Sequence, residues 1–149
     1  MKEYIGLLSI IYIVIIIAKL KANDKSFEHY IVEYQEIKFQ LKLVSQSKNP
    51  FVMMKFSSTV LYILLVLYYT ANIVIFSNYP LISLISYTLI IVTIIRLSKK
   101  VTINSVQDFE KRIKLNRRDY RKQQRLQFCL GLVEFAYAFN ALILISFYY

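Results

Sequence analysis

Glu134 is the only charged residue between Gln127 and Tyr149, a stretch otherwise dominated by Leu, Ile, Val, Ala, Phe and Tyr. A carboxyl group in hydrocarbon is costly. Such groups face a bundle interior or water, and they act as hydrogen-bond glue, as proton or cation relays, or as docking points for another subunit. At 100° per residue Gly131, Glu134, Ala138 and Ala141 share one helix face with Gln127, so the carboxyl points toward a close helix contact rather than toward lipid. It lies seven residues from Gln127, or about 10 Å along a helix. Tyr12 stands seven residues from Lys19, Tyr62 seven from Lys55 and Thr88 eight from Arg96. The expectation is therefore an intramembrane polar layer in which Tyr12, Tyr62 and Thr88 meet Glu134 at one depth, with the tyrosines donating to it.

A second polar group, nearer the other end of the apolar runs, comprises Asn72, Asn140, Ser83 and Ser86. Asn140 lies roughly opposite Glu134 around its helix, which implies neighbours on two sides. A third feature is basic. Lys111, Arg112, Lys114, Arg117, Arg118, Arg121, Lys122 and Arg125 face a single acid, Asp119, within the same stretch. Cations beside a membrane span attract anionic headgroups, at roughly 1 kcal/mol each near the surface. Contact with anionic lipid or an acidic partner is the expectation. Nucleic acid is disfavoured, because the stretch lacks interleaved aromatic platforms.

Catalytic chemistry is poorly supplied. Gly6 and Gly131 are the only glycines and both sit in apolar runs, so no phosphate-cradling loop can form. His29 is the only histidine and Cys129 the only cysteine, which leaves no Ser/His/Asp set, no metal cluster and no internal disulfide. The chain reads as a non-enzyme without a cofactor.

The elements that position these residues follow from hydropathy. The sequence is 57% hydrophobic, against about 45–50% in soluble domains, and the apolar residues come in long blocks. Four blocks approach the ~20 residues needed to cross a bilayer: about 4–20, 57–76, 81–97 and 127–149. The first lacks a small-residue cleavage pattern and reads as an uncleaved anchor. Strands for a membrane barrel would alternate apolar with polar residues, and these runs do not. The expected fold is all-α: an integral membrane four-helix bundle forming one domain over 1–149. Two long basic loops, 21–56 and 98–126, contrast with a short uncharged hairpin at 77–80. All Lys and Arg except Lys2 lie within or beside the two long loops, so both loops belong inside and both termini outside.

Each long loop carries its own pattern. Phe27, Tyr30, Ile31, Tyr34, Ile37, Leu41 and Val44 recur at helical spacing, although 37–43 also alternates as a strand would. Asn49-Pro50 reads as a cap and first helical residue, and Ser105 with Asp108 as a relative of the capping box. No Gly or Pro interrupts Val106 to Leu130, so one helix can run from there into the fourth span. The bias toward Ile, Lys, Asn, Phe and Tyr is that of AT-rich coding sequence. It points to the cytoplasmic membrane of a low-GC bacterium or to the mitochondrial inner membrane. The functional expectation is a non-catalytic multi-pass subunit with a structural, assembly or accessory role in a larger membrane complex or homo-oligomer. The alternatives are a small transporter or channel component using Glu134, and a bacterial immunity or regulatory membrane protein.

Overall fold

A computed structural model describes residues 2–148, which form six helices: α1 (Lys2–Asn23), α2 (Phe27–Ser45), α3 (Pro50–Ile75), α4 (Pro80–Val101), α5 (Val106–Ile113) and α6 (Arg117–Tyr148). Four of them, α1, α3, α4 and α6, are long and apolar enough to cross a membrane. They form the expected all-helical bundle. Tyr149, the end of the fourth expected span, lies outside the described residues.

Local chemistry sets the helix starts. Asn49 Oδ1 accepts the Phe51 N–H at 3.1 Å, and Pro50 occupies the first helical turn, where its missing N–H costs nothing. Ser26 Oγ accepts the His29 N–H at 3.2 Å to open α2. Ser105 Oγ accepts the Asp108 N–H at 3.2 Å while Asp108 Oδ2 accepts the Asn104 N–H at 3.2 Å, so two orphan donors at the start of α5 are satisfied reciprocally. The hairpin between α3 and α4 is tied by Phe76 N–H to the Asn72 carbonyl and Tyr79 N–H to the Phe76 carbonyl, with the Phe76 side chain wholly buried.

Two antiparallel pairs make the bundle, α1 along α6 and α3 along α4, and α1 touches α3 while α4 touches α6. The helices thus follow one another around a ring, each antiparallel to its neighbours. A tight contact lies between α1 and α6 at Gly131. A methyl group placed on Gly131 would stand 2.6 Å from Leu20 Cδ2, which no ordinary contact allows. Glycine there lets the backbones close in, as small residues do between membrane helices.

Only 17% to 28% of each span's apolar window is buried, so packing is concentrated in a narrow core. Tyr12, Tyr68, Tyr69 and Tyr137 fill its centre, with Ile5, Ile16, Leu89 and Ala138 around them. Their rings meet mostly edge to face at centroid distances of 5.4 to 6.3 Å. Each such pair adds about 0.5–1.5 kcal/mol beyond area burial.

A smaller core forms where the long loops gather, from Tyr34 and Leu41 of α2, Phe51 of α3 and Phe109 of α5. Tyr34 stacks on Phe109 at 5.9 Å. Lys38 Nζ donates to Glu110 Oε1 at 2.6 Å, and this bond holds the Glu110 carboxyl below and the Lys38 ammonium above their ordinary ranges.

Residues 37–43 are helical, as the spacing of the apolar residues predicts, and the 3.6-residue period places Leu41 beside Tyr34 in that small core. One expectation is corrected here. The helix expected from Val106 into the fourth span breaks at 114–116 without glycine or proline. Lys114 turns extended, and the Tyr30 hydroxyl donates to the freed Ile113 carbonyl, while just beyond the break the Tyr120 hydroxyl ties α6 to the Lys25 carbonyl at 2.9 Å. The Tyr30 and Tyr120 rings stack at 4.5 Å across the break. The fourth spanning helix, α6, begins at Arg117, ten residues before the apolar run itself.

Gly131→Val is expected to destabilise the protein in detergent by about 1–3 kcal/mol through overpacking against Leu20. Adding Leu20→Ala should recover part of that loss. At Gly6 an added methyl would meet only Ile145 Cγ2 at 3.9 Å, so Gly6→Ala is expected to cost nothing. Thermal unfolding of the three variants measures both effects.

Candidate functional site at the loop end of the bundle

Glu134 is 4% exposed, and α6 carries it to the end of the tyrosine core nearest the long loops. Arg96, near the end of α4, donates from Nη1 to Glu134 Oε1 at 2.8 Å. Lys19, near the end of α1, brings Nζ to 4.0 Å from Oε2. Three helices therefore converge on one carboxylate. The arginine contact is a direct charge-assisted hydrogen bond, while the lysine side chain, 54% exposed, adds a longer-range partner.

This arrangement corrects the expected layer. Tyr12 is buried but its hydroxyl bonds with that of Tyr69, not with Glu134. Tyr62 is buried and carries Lys100 Nζ over its ring at 5.3 Å. Thr88 is exposed and donates to its own helix at the Leu84 carbonyl, 3.0 Å away. The inward face of α4 runs through Ser86, Leu89 and Thr93, and Thr88 lies some 200° around the helix from Ser86. Equal depth did not secure equal facing.

The second expected group divides likewise. Ser86 is buried, and its Oγ donates to the Ile82 carbonyl at 2.7 Å. A serine hydroxyl has one hydrogen, so the Tyr137 hydroxyl, 2.6 Å away, must donate to Ser86. Asn72 is wholly buried beside the Tyr68 and Tyr137 hydroxyls, yet neither amide atom reaches hydrogen-bond geometry. Ser83 is half-buried. Asn140 is exposed and donates to the Ala136 carbonyl at 2.8 Å, so it does not join the others.

All eight residues of the basic stretch, Lys111, Arg112, Lys114, Arg117, Arg118, Arg121, Lys122 and Arg125, are exposed. Arg117 pairs with Glu28 and lies 5.6 Å from the Phe27 ring centre. A backbone N–H and then this guanidinium hold the Glu28 carboxyl below its usual range. Arg112 turns back toward the bundle and donates to the Lys99 carbonyl at 3.2 Å.

Sequence reasoning missed Ser9, Tyr68, Tyr69 and Tyr137 as members of the buried network, and Arg96 as the partner of Glu134. Ser9 and the Tyr68 hydroxyl bond at 2.7 Å across α1 and α3. Tyr137 was within reach, since it stands three residues after Glu134 on the face already marked by Gly131 and Ala138. Ser9, Tyr12 and Ile16 likewise share the buried face of α1.

Beside Glu134 opens a cavity of about 570 Å³, bounded by the ends of α1, α4 and α6, by α5, and by residues of α2. Chemically, the carboxylate and guanidinium neutralise each other and fasten α6 to α4, while the surrounding cations face the open space. Among the described residues no three His, Cys, Asp or Glu side chains gather to hold a metal ion. Comparison with protein-family models, with curated proteins and with solved structures finds no match.

Removing one partner of a buried ion pair leaves the other charge uncompensated, at about 3–5 kcal/mol when both are fully buried. Arg96 is 26% exposed, so Arg96→Gln is expected to fall toward or below the lower figure, and Lys19→Gln to cost under about 1 kcal/mol. The double variant Arg96→Gln/Glu134→Gln should be more stable than the sum of its singles implies. Denaturant unfolding of the variants in detergent checks the ranking.

Proposed function

We propose that this chain is a non-catalytic subunit of a larger membrane assembly, with its long-loop end on the cytoplasmic or matrix side and both ends of the chain on the opposite side. The orientation rests on the cations concentrated at the loop end, which resist translocation. One observation carries the assembly reading. Helix α2 buries Tyr34 and Leu41 against the rest of the protein, yet its other face presents Val32, Phe39 and Leu43, which are 57%, 64% and 51% exposed. These residues recur at one-face spacing on a helix that lies outside the four spans. An apolar face set beyond the lipid-spanning segments is what a helix covered by a partner subunit presents. A bacterial immunity or regulatory protein would be the same module with a single toxin or sensor as its partner.

Transport through the bundle has one observation in its favour, the cavity that reaches Glu134. Against it stand the direct guanidinium contact on that carboxylate and the pairing of the tyrosine and serine hydroxyls with one another beyond it. Structural fastening is the better use of these groups.

The test is native electrophoresis of membranes extracted in mild detergent. Wild-type protein is expected to migrate in a defined species larger than a 17.7 kDa chain with its detergent, and Phe39→Glu with Leu43→Glu should release it. Migration of the wild type alone would contradict the proposal.

A further inference from the structure

The cavity beside Glu134 has a charge pattern that the assembly reading does not use. Six cationic side chains line it against two carboxylates, Glu33 and Glu134, and both carboxylates are already engaged, by Lys25 and Arg96 at 2.8 Å each. Lys99, Lys100 and Arg112 are left, none of them in an ion pair among the described residues. They come from the end of α4 and from α5, so the break at 114–116 and the return of Arg112 to the Lys99 carbonyl bring separate segments to one opening. Ile16 and Leu20, one turn apart on α1, add an apolar surface to the lining. A volume of about 570 Å³ falls within the usual range for small-ligand sites.

The geometry points to a binding site for a phosphate group, held by Lys99, Lys100 and Arg112, with the adjoining apolar wall covering the carbon skeleton attached to it. Clustered cations with no internal counter-ion attract an external anion. A guanidinium can fork two phosphate oxygens while two ammonium groups supply point charges. The site lies at the loop-end boundary of the spans, the depth at which lipid phosphates sit, which favours a phospholipid headgroup over a soluble phosphate compound as the source. Arg118, Lys122 and Arg125 of α6 are exposed too, but they do not line the cavity and attract anions only through a screened field.

Native mass spectrometry of the full chain in neutral detergent tests the assignment, with short-chain phosphatidylglycerol and inorganic pyrophosphate as probes. One phosphatidylglycerol is expected to be retained per chain. Retention should weaken about a hundredfold in Lys99→Gln/Lys100→Gln/Arg112→Gln and only a few-fold in the control Arg118→Gln/Lys122→Gln/Arg125→Gln. The single Arg112→Gln variant, with a loss of about fivefold, carries the test if the triple variant does not fold. Pyrophosphate that fails to displace the lipid identifies a headgroup as the source. Pyrophosphate that binds, is lost in the cavity variant, and outcompetes the lipid identifies a soluble phosphate compound at the same site. Equal weakening by the cavity and control variants, or retention of neither probe, overturns the site.

Discussion

Lipid offers a membrane helix little apolar reward for leaving it, so association inside the bilayer depends on close packing and on polar groups finding one another. The bundle shows where that constraint acts. Its two principal pairs, α1 with α6 and α3 with α4, have the broad contacts. The seams between the pairs are thin, and each carries hydroxyl bonds: Ser9 with Tyr68 and Tyr12 with Tyr69 join α1 to α3, and Ser86 with Tyr137 joins α4 to α6. Beyond these, the α1–α3 seam holds mainly ring contact, and the α4–α6 seam also holds the Arg96–Glu134 ion pair.

The ion group at the loop end extends the same logic into a wetter region. Glu134 needs α6 close to α1, which Gly131 permits, and it needs a cation from the end of α4, which Arg96 supplies. With the carboxylate engaged there, Lys99, Lys100 and Arg112 form no ion pair among the described residues, and they line open space instead of closing it. The small core of Tyr34, Leu41, Phe51 and Phe109 holds α2 and α5 over that opening. Fold and cavity are thus two consequences of one arrangement, in which apolar faces turn outward and polar groups are used up in the centre.

Much of this was legible in the residues. Long apolar blocks located the four spans, and Asn49-Pro50 and Ser105 placed helix starts where the structure has them. The inward face of α6 was legible because Gly131, Glu134, Ala138 and Ala141 differ in size and charge from their neighbours. The match of Thr88 to Glu134 rests on depth alone, and depth along the helix carries no information about rotation; the small polar residues Ser83, Ser86 and Thr93 mark a different face, the one that turns inward. The break at 114–116 was hidden for another reason: it depends on Tyr30 and Tyr120, which meet across 90 residues of chain. Local propensity permits a helix there, and tertiary hydrogen bonds prevail over it. The pairing of Arg96 with Glu134 was hidden because a cation at the end of a span is ordinarily read as facing headgroups.

The central claim is that buried hydroxyl pairs join the two halves of the bundle, and a double-mutant cycle on the α4–α6 seam tests it most directly. Unfolding free energies would be measured in detergent for Ser86→Ala, Tyr137→Phe and the double variant. The expected coupling is about 0.6 kcal/mol, and no more than about 1.7, the range found for bonds between membrane helices. Strictly additive losses would contradict the claim, and the seam would then rest on side-chain packing and the Arg96–Glu134 ion pair.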